Sequence, residues 1–197
     1  YMAPYDIPVA DLEQEFTGVG AHVIDGSVYY LDYGIMTGSI YYNTDMWAAA
    51  GLTDADIPTT WDEFREVAKK LTVKDGDNFT QAGFNFNDSI RNFVIGLNYQ
   101  YGENLFNEDG TANYNNEATR GIVQMFKDMY DVDGVGSPDF GNEANQSFGQ
   151  GQYAMIAAWG NFTNDLANNY PDINYGVFEI PTPTTENPYA NNRYNGE

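Results

Sequence analysis

Between residues 39 and 180, short apolar runs alternate with segments of helical periodicity, and few architectures accommodate that alternation. A strand that feeds a helix and then a second strand of one sheet gives a parallel pairing. The chain therefore reads as α/β, with a mostly parallel central sheet flanked by helices and an antiparallel hairpin. PTTWDEFREVAKKLT is its clearest helix. Thr60 and Glu63 have the spacing of a capping box, in which each side chain satisfies a backbone donor left open at the helix start. Trp61, Phe64, Val67, Ala68 and Leu71 share one face. Asp62 and Glu63 lie at the positive end of its dipole, and Lys69 and Lys70 at the negative end.

The remaining elements follow from the same rules. A short acidic helix is expected at DLEQEF, after an irregular approach. Asp25-Gly26 and Asp109-Gly110 are hairpin signals, and KDGDN is a turn. SIYYN, the alternation of Ala82, Phe84 and Phe86, YAMIAAW and INYGVFEIP read as strands. Helices are expected at NTDMWAAA, capped by Asn43 or Thr44, and from about residue 89 to residue 100. Three more are expected at EATRGIVQMFKDMY, NEANQSFGQG and GNFTNDLANN. Ile122, Val123, Phe126 and Met129 form the apolar stripe of the first of these. The tail PTPTTENPYANN reads as a linker without local structure.

The charge balance excludes several functions. Eight Lys and Arg stand against 29 Asp and Glu, a net charge of −21, yet 42% of residues are hydrophobic and the chain can bury a core. So few basic groups leave no means of neutralising nucleic-acid phosphates or docking on an anionic membrane. A field of this sign also repels anionic ligands. With no cysteine and His22 alone, disulfides, thiol chemistry and multi-histidine metal sites are excluded. His22, before a hairpin, reads as a solvated loop residue. Asp131, Asp133 and Gly134 have some likeness to a calcium loop but lack an EF-hand's spacing, and a surface turn is the simpler reading. Acidic pairs such as Glu13/Glu15 and Asp62/Glu63 fall on helix surfaces. No apolar run reaches membrane-spanning length. The ends, YMAPYDIP and NNRYNGE, read as interior to a longer polypeptide.

In open α/β sheets, ligands bind beyond the carboxyl ends of strands. Two strand-to-helix junctions stand there, FNFNDSIRN from Phe84 and WGNFTND from Trp159. Both join aromatics to amides and carboxylates. Aromatic faces cover the C–H side of a sugar ring, while Asn and Asp pair its hydroxyls, so both suit a neutral polyol. The plainer alternative is that Asn, Asp and Ser cap helices there and that Phe84 and Phe86 are core. Gly160 after Trp159 allows close approach of a ligand.

At YYNTDMWAAAGL and PTTWDEFREVAKKL the chain resembles the family 1 extracellular solute-binding proteins of sugar ABC transporters, among which are the maltose-binding proteins. That family shows Tyr-Tyr-Asn-Lys-Asp, a small-Gly-Leu turn and Pro-x-Thr-Trp-acid-Glu; Thr44 stands here in place of the Lys. FGQGQYAMIAAWGNF and YGVFEIPTP resemble two further family segments, in the right order. The resemblance implies one lobe of a type II periplasmic-binding-protein fold. Residues 1–36 would be a first-lobe remnant and hinge crossover, 37–180 the second ligand-binding lobe, and 181–197 the return crossover.

It further implies a monomeric, non-catalytic protein without cofactor or nucleic-acid partner. Such a protein binds a carbohydrate in an interlobe cleft and presents it to ABC permease subunits. Its location would be extracytoplasmic, as a cell-surface lipoprotein of a Gram-positive bacterium or in a periplasm. Family contacts before Tyr-Tyr-Asn map to Tyr33, Met36 and Thr37, although a usual proline is replaced near Asp32. The junction after the second strand maps to Asn87, Asp88 and Arg91, without the acidic and tyrosine pair of maltose-type members. The turn after Ala-Met maps to Trp159, Asn161 and Phe162, with Trp159 facing inward and Phe162 stacking on the ligand. A stand-alone surface glycan-binding module and a glycoside hydrolase fragment stay open as alternatives.

Overall fold

The computed structural model describes residues 3–32, 36–86, 90–141, 143–184 and 195–196. It divides into two compact units, Tyr1–Met36 and Thr37–Gly196. In the smaller, α1 (Val9–Glu15) is followed by a 3-10 turn, Val19–His22, and by the two-stranded hairpin β1 (Val23–Ile24) and β2 (Ser27–Val28). Asp25 and Gly26 both take positive φ, 49° and 76°, as the tight turn between right-twisted strands demands. Leu12, Val19 and Val28 form its core.

The larger unit is built on a mixed sheet. Its strands are β3 (Met36–Asn43), β4 (Val73–Asp75), β5 (Asn78–Asn85), β6 (Tyr153–Trp159) and β7 (Tyr175–Phe178), in the order β4-β5-β6-β3-β7. A short β8 (Asn195–Gly196) also pairs with β3. Among the described pairings only β5 and β6 are parallel; β3 runs antiparallel to both β6 and β7, and β4 to β5. The α/β architecture is the expected one, but the sheet is mixed rather than mostly parallel. Helical crossovers do give β5, β6 and β7 a common direction. The oppositely directed β3 is inserted between β6 and β7, and strand alternation in a sequence says nothing about neighbours.

Helices cover both faces of this sheet. Tyr41 and Tyr42, adjacent on β3, point to opposite sides because side chains alternate along a strand. On the Tyr42 side, Ile40, Phe84, Met155 and Phe178 meet Trp47 of α2 (Thr44–Ala49) and the apolar face of α3 (Trp61–Lys70). Phe93 and Leu97 of α4 (Ile90–Gln100) and Ile122, Phe126 and Met129 of α5 (Glu117–Asp131) complete that core. On the Tyr41 side lie Phe148 of α6 (Ala144–Gly149) and Phe162 and Leu166 of α7 (Phe162–Asn169).

Local chemistry explains the helix ends. Asn43 caps α2 by accepting from the backbone N–H groups of Asp45 and Met46, both at 3.0 Å. The capping box of α3 is formed, with Glu63 N–H donating to Thr60 Oγ1 at 3.3 Å and Thr60 N–H to Glu63 Oε2 at 3.1 Å. Two expectations change. Val123 is 48% exposed, one step round from the buried Ile122–Phe126–Met129 stripe. The start of the tail is anchored rather than loose: Thr182 forms a parallel bridge with Thr60, its N–H donates to Thr59 O, and its carbonyl accepts from Trp61 N–H. No helix among the described residues is long and apolar enough to cross a membrane.

Candidate ligand-binding site

Since β5, β6 and β7 run the same way and β3 the opposite way, one edge of the sheet collects three carboxyl ends and the amino end of β3. Register brings specific residues together there. Gly38 pairs with Trp159, and the next N–H, of Gly160, donates to Thr37 O at 3.2 Å. Alternation of antiparallel ladder bonds makes Gly38 and Trp159 a non-hydrogen-bonded pair, the closer of the two kinds. The indole uses the space that glycine leaves. A Cβ on Gly38 would lie 3.7 Å from Trp159 Cζ3 and 3.9 Å from Ile180 Cδ1. Trp159 falls on the same sheet face as Ala157, which packs against the Tyr42-side core along with Ile180. It caps the end of that core and remains half-buried, with part of its surface at the edge.

The turn beyond Trp159 is held firmly. Gly160 O accepts from Thr163 Oγ1 at 2.9 Å, and Trp159 O accepts from the Tyr41 hydroxyl at 3.3 Å. Apart from its two chain neighbours, no described residue has a heavy atom within 4 Å of where a Cβ on Gly160 would stand. Asn161 occupies the cap position of α7, yet its side chain makes no capping bond and is exposed. It contrasts with Asn43, whose amide oxygen is spent on α2. An edge with part of an indole, an uncovered glycine and an amide not used by its helix can cover an apolar ring face and pair a hydroxyl beside it.

The expected site residues divide as follows. Thr37, Trp159 and Asn161 gather at this edge, and Thr37 is exposed. Arg91 is exposed on the first turn of α4, after the carboxyl end of β5. Tyr33, Asn87 and Asp88 lie outside the described residues, as does the side chain of Met36, whose backbone opens β3. Phe162 is not the stacking aromatic: it is 2% exposed, with its ring edge-on to Tyr41 at 5.2 Å and to Phe148 at 6.0 Å. As the first residue of α7 it turns into the Tyr41-side core, and the aromatic with surface here is Trp159. Gly38 and Tyr41 were missed by the sequence reading. A glycine at the mouth of a strand that ends opposite a tryptophan is a readable signal for Gly38.

Other candidates resolve into structural roles. His22 is not a solvated loop residue: its side chain is 13% exposed, its Nε2 lies 2.9 Å from Asp32 Oδ2, and its ring centroid lies 4.4 Å from that of Tyr30. Asp133 is taken up by Arg65 and Lys69, and Asp131 by Lys127, which removes the carboxylates that suggested a calcium loop. Among the described residues no group of His, Cys, Asp and Glu could hold a metal ion. The Glu63 carboxylate accepts from Thr59 and Thr60 and is held below its ordinary pKa by the Thr59 N–H first and the Thr60 N–H second. Burial pushes the Tyr41 hydroxyl up, with Tyr175 adding to the shift, so it stays a protonated donor.

Comparison with known proteins agrees with this architecture. Residues 2–196 match a family described as bacterial extracellular solute-binding protein. The sn-glycerol-3-phosphate-binding periplasmic protein UgpB of Brucella abortus is 28% identical over 178 residues, 87% of this chain and 40% of that relative. Among solved structures, the ABC substrate-binding protein Lmo0181 of Listeria monocytogenes in complex with cycloalternan has a TM-score of 0.72 at 21% identity, over 93% of this chain and 48% of that one. The maltose/maltodextrin-binding domain MalE of Bdellovibrio bacteriovorus bound to maltotriose has a TM-score of 0.67 at 23% identity, over 92% and 46% of the two chains. The chain thus spans less than half the length of each of these.

Proposed function

The chain belongs to the bacterial extracellular solute-binding protein family, and from that membership we propose that it forms the second ligand-binding lobe of an ABC importer's substrate-binding subunit, taking a neutral saccharide at the Trp159 edge. Residues 37–180 make up the lobe, with 1–36 as first-lobe remnant and crossover and 181–197 as the return. The protein is extracytoplasmic, monomeric and non-catalytic, and hands its ligand to permease subunits. The observation that carries the reading is the conjunction of half-buried Trp159, uncovered Gly160 and uncommitted Asn161 at one end of the sheet. The net charge of −21 favours a neutral ligand over an anion. The Listeria and Bdellovibrio proteins are described as in complex with cycloalternan and bound to maltotriose.

Arg91 supports a second reading. It is an exposed cation on the first turn of α4, and the Brucella relative is described as binding sn-glycerol-3-phosphate. Titration calorimetry of the full-length protein separates the two. Maltotriose is expected to bind and sn-glycerol-3-phosphate not. Covering roughly 60 Å² of indole contributes about 1.5 kcal/mol, so Trp159→Ala should weaken maltotriose binding about tenfold. Binding of the phosphate ester with no response to maltotriose, mannobiose or cycloalternan would overturn the saccharide reading.

A further inference from the structure

We propose that the Tyr41 hydroxyl is a positioning group for the binding edge: it fixes the carbonyl of Trp159 and so sets where the indole, Gly160 and Asn161 stand. The inference rests on the saccharide-site reading above, and its test is chosen to fail separately from it. Tyr41 pairs with Ile156 in the β3–β6 register, so its hydroxyl reaches three residues along β6 to that strand's last carbonyl, at 3.3 Å. The described register between β5 and β6 runs to Asn85 and Ile156, three residues before Trp159. The phenol donates to Trp159 O beyond those described pairs.

The ring that carries this hydroxyl has little freedom. Tyr41 is 2% exposed, edge-on to Phe162 at 5.2 Å and tilted against Tyr175 at 5.9 Å. Its partner Phe162 begins the helix that follows the turn. One buried side chain thus holds the turn from before, through Trp159 O, and from behind, through Phe162. Two more bonds, Gly160 N–H to Thr37 O and Thr163 Oγ1 to Gly160 O, tether the residue between. Tyr41 is a tether that depends on a side chain distant in sequence, 118 residues from Trp159. Preorganised contacts spend less ordering entropy when a ligand arrives.

The test compares Tyr41→Phe with Tyr42→Phe in the full-length protein. Tyr42 is a buried tyrosine on the opposite sheet face and makes no contact with the turn in the interactions described. Tyr41→Phe keeps the ring packing and removes one neutral hydrogen bond. It is expected to weaken maltotriose binding about three- to tenfold, the range for one such bond, whereas Tyr42→Phe leaves it unchanged. Acrylamide quenching supplies a readout independent of ligand. Trp47 and Trp61 are 4% and 2% exposed, so the quenchable signal from this chain comes from Trp159, and Trp159→Phe identifies it. Tyr41→Phe should raise that signal, and Tyr42→Phe should leave it unchanged. Unchanged quenching and affinity, or equal losses in both variants, overturn the proposal. If wild type binds none of the saccharides, the functional reading fails, and the quenching comparison still decides the role of Tyr41.

Discussion

Arg65 Nε lies 2.5 Å from Asp133 Oδ2, joining α3 to the turn that follows α5. The carboxylate side chain is 7% exposed, and Lys69 Nζ faces its other oxygen at 3.7 Å. This pair lies between a surface bridge, worth under about 1 kcal/mol, and a buried one, whose breaking costs about 3–5 kcal/mol. Arg65→Met should cost about 1–2 kcal/mol, because Lys69 still compensates part of the charge. Asp133→Asn should cost less, since its carbonyl oxygen can still accept from Arg65. Urea midpoints of the two variants check the order; an Arg65→Met midpoint equal to wild type would mean that solvent already screens the pair.

The capping box of α3 gives a pH dependence with a definite sign. Glu63 has its pKa lowered from an ordinary 4.5 by bonds from Thr59 N–H at 2.8 Å and Thr60 N–H at 3.1 Å. A depressed folded value means that the unfolded chain takes up the proton first as pH falls. The contribution is complete above 4.5 and is lost as pH falls through the folded value. Glu63→Gln should therefore melt below wild type at pH 7, with the gap closing in acid. Thr60→Ala should cost about 1 kcal/mol with little pH dependence of its own. A Glu63→Gln gap that persists unchanged at pH 3 would contradict the assignment.

These ends of helices were legible because caps are local. Asn43, Thr60 and Glu63 act on donors within four residues, and Asp25-Gly26 closes its own turn. The insertion of β3 between β6 and β7 was not legible, since a sequence shows the direction of travel and not the neighbour. The site failed at one point for a related reason. Trp159 and Phe162 are both aromatic and three residues apart, but the first ends a strand and the second begins a helix. The side each one faces depends on where period two gives way to period 3.6. Val123 was misplaced by one step of the same helical period. Tyr41 could not be found at all, because its bond spans 118 residues.

Gly83 marks where β5 approaches α3 too closely for any side chain. A Cβ there would stand 2.1 Å from Ala68 O and 2.8 Å from Ala68 C, both backbone atoms that cannot rotate aside. Gly83 N–H also bonds Val135 O at 2.7 Å, so the strand is held on that side as well. Gly83→Ala should cost about 3 kcal/mol, the upper end of overpacking, and should lower the thermal midpoint by several degrees. A midpoint within a degree of wild type would show that strand and helix can separate freely at this point.

Gly160 is the opposite case, and the contrast separates stability from binding. Apart from its chain neighbours, no described residue lies within 4 Å of its missing Cβ, it carries no positive φ, and the N–H and C=O through which it bonds Thr37 O and Thr163 Oγ1 are main-chain groups that substitution leaves in place. Gly160→Val should change stability by under about 0.5 kcal/mol, as at an unconstrained surface position. If a sugar ring settles on Trp159, the isopropyl group intrudes on the space it needs, and maltotriose affinity should fall about tenfold or more through steric exclusion. Calorimetry and melting on the same samples decide it. Unchanged affinity in a stable Gly160→Val protein would place the ligand elsewhere than beside this turn.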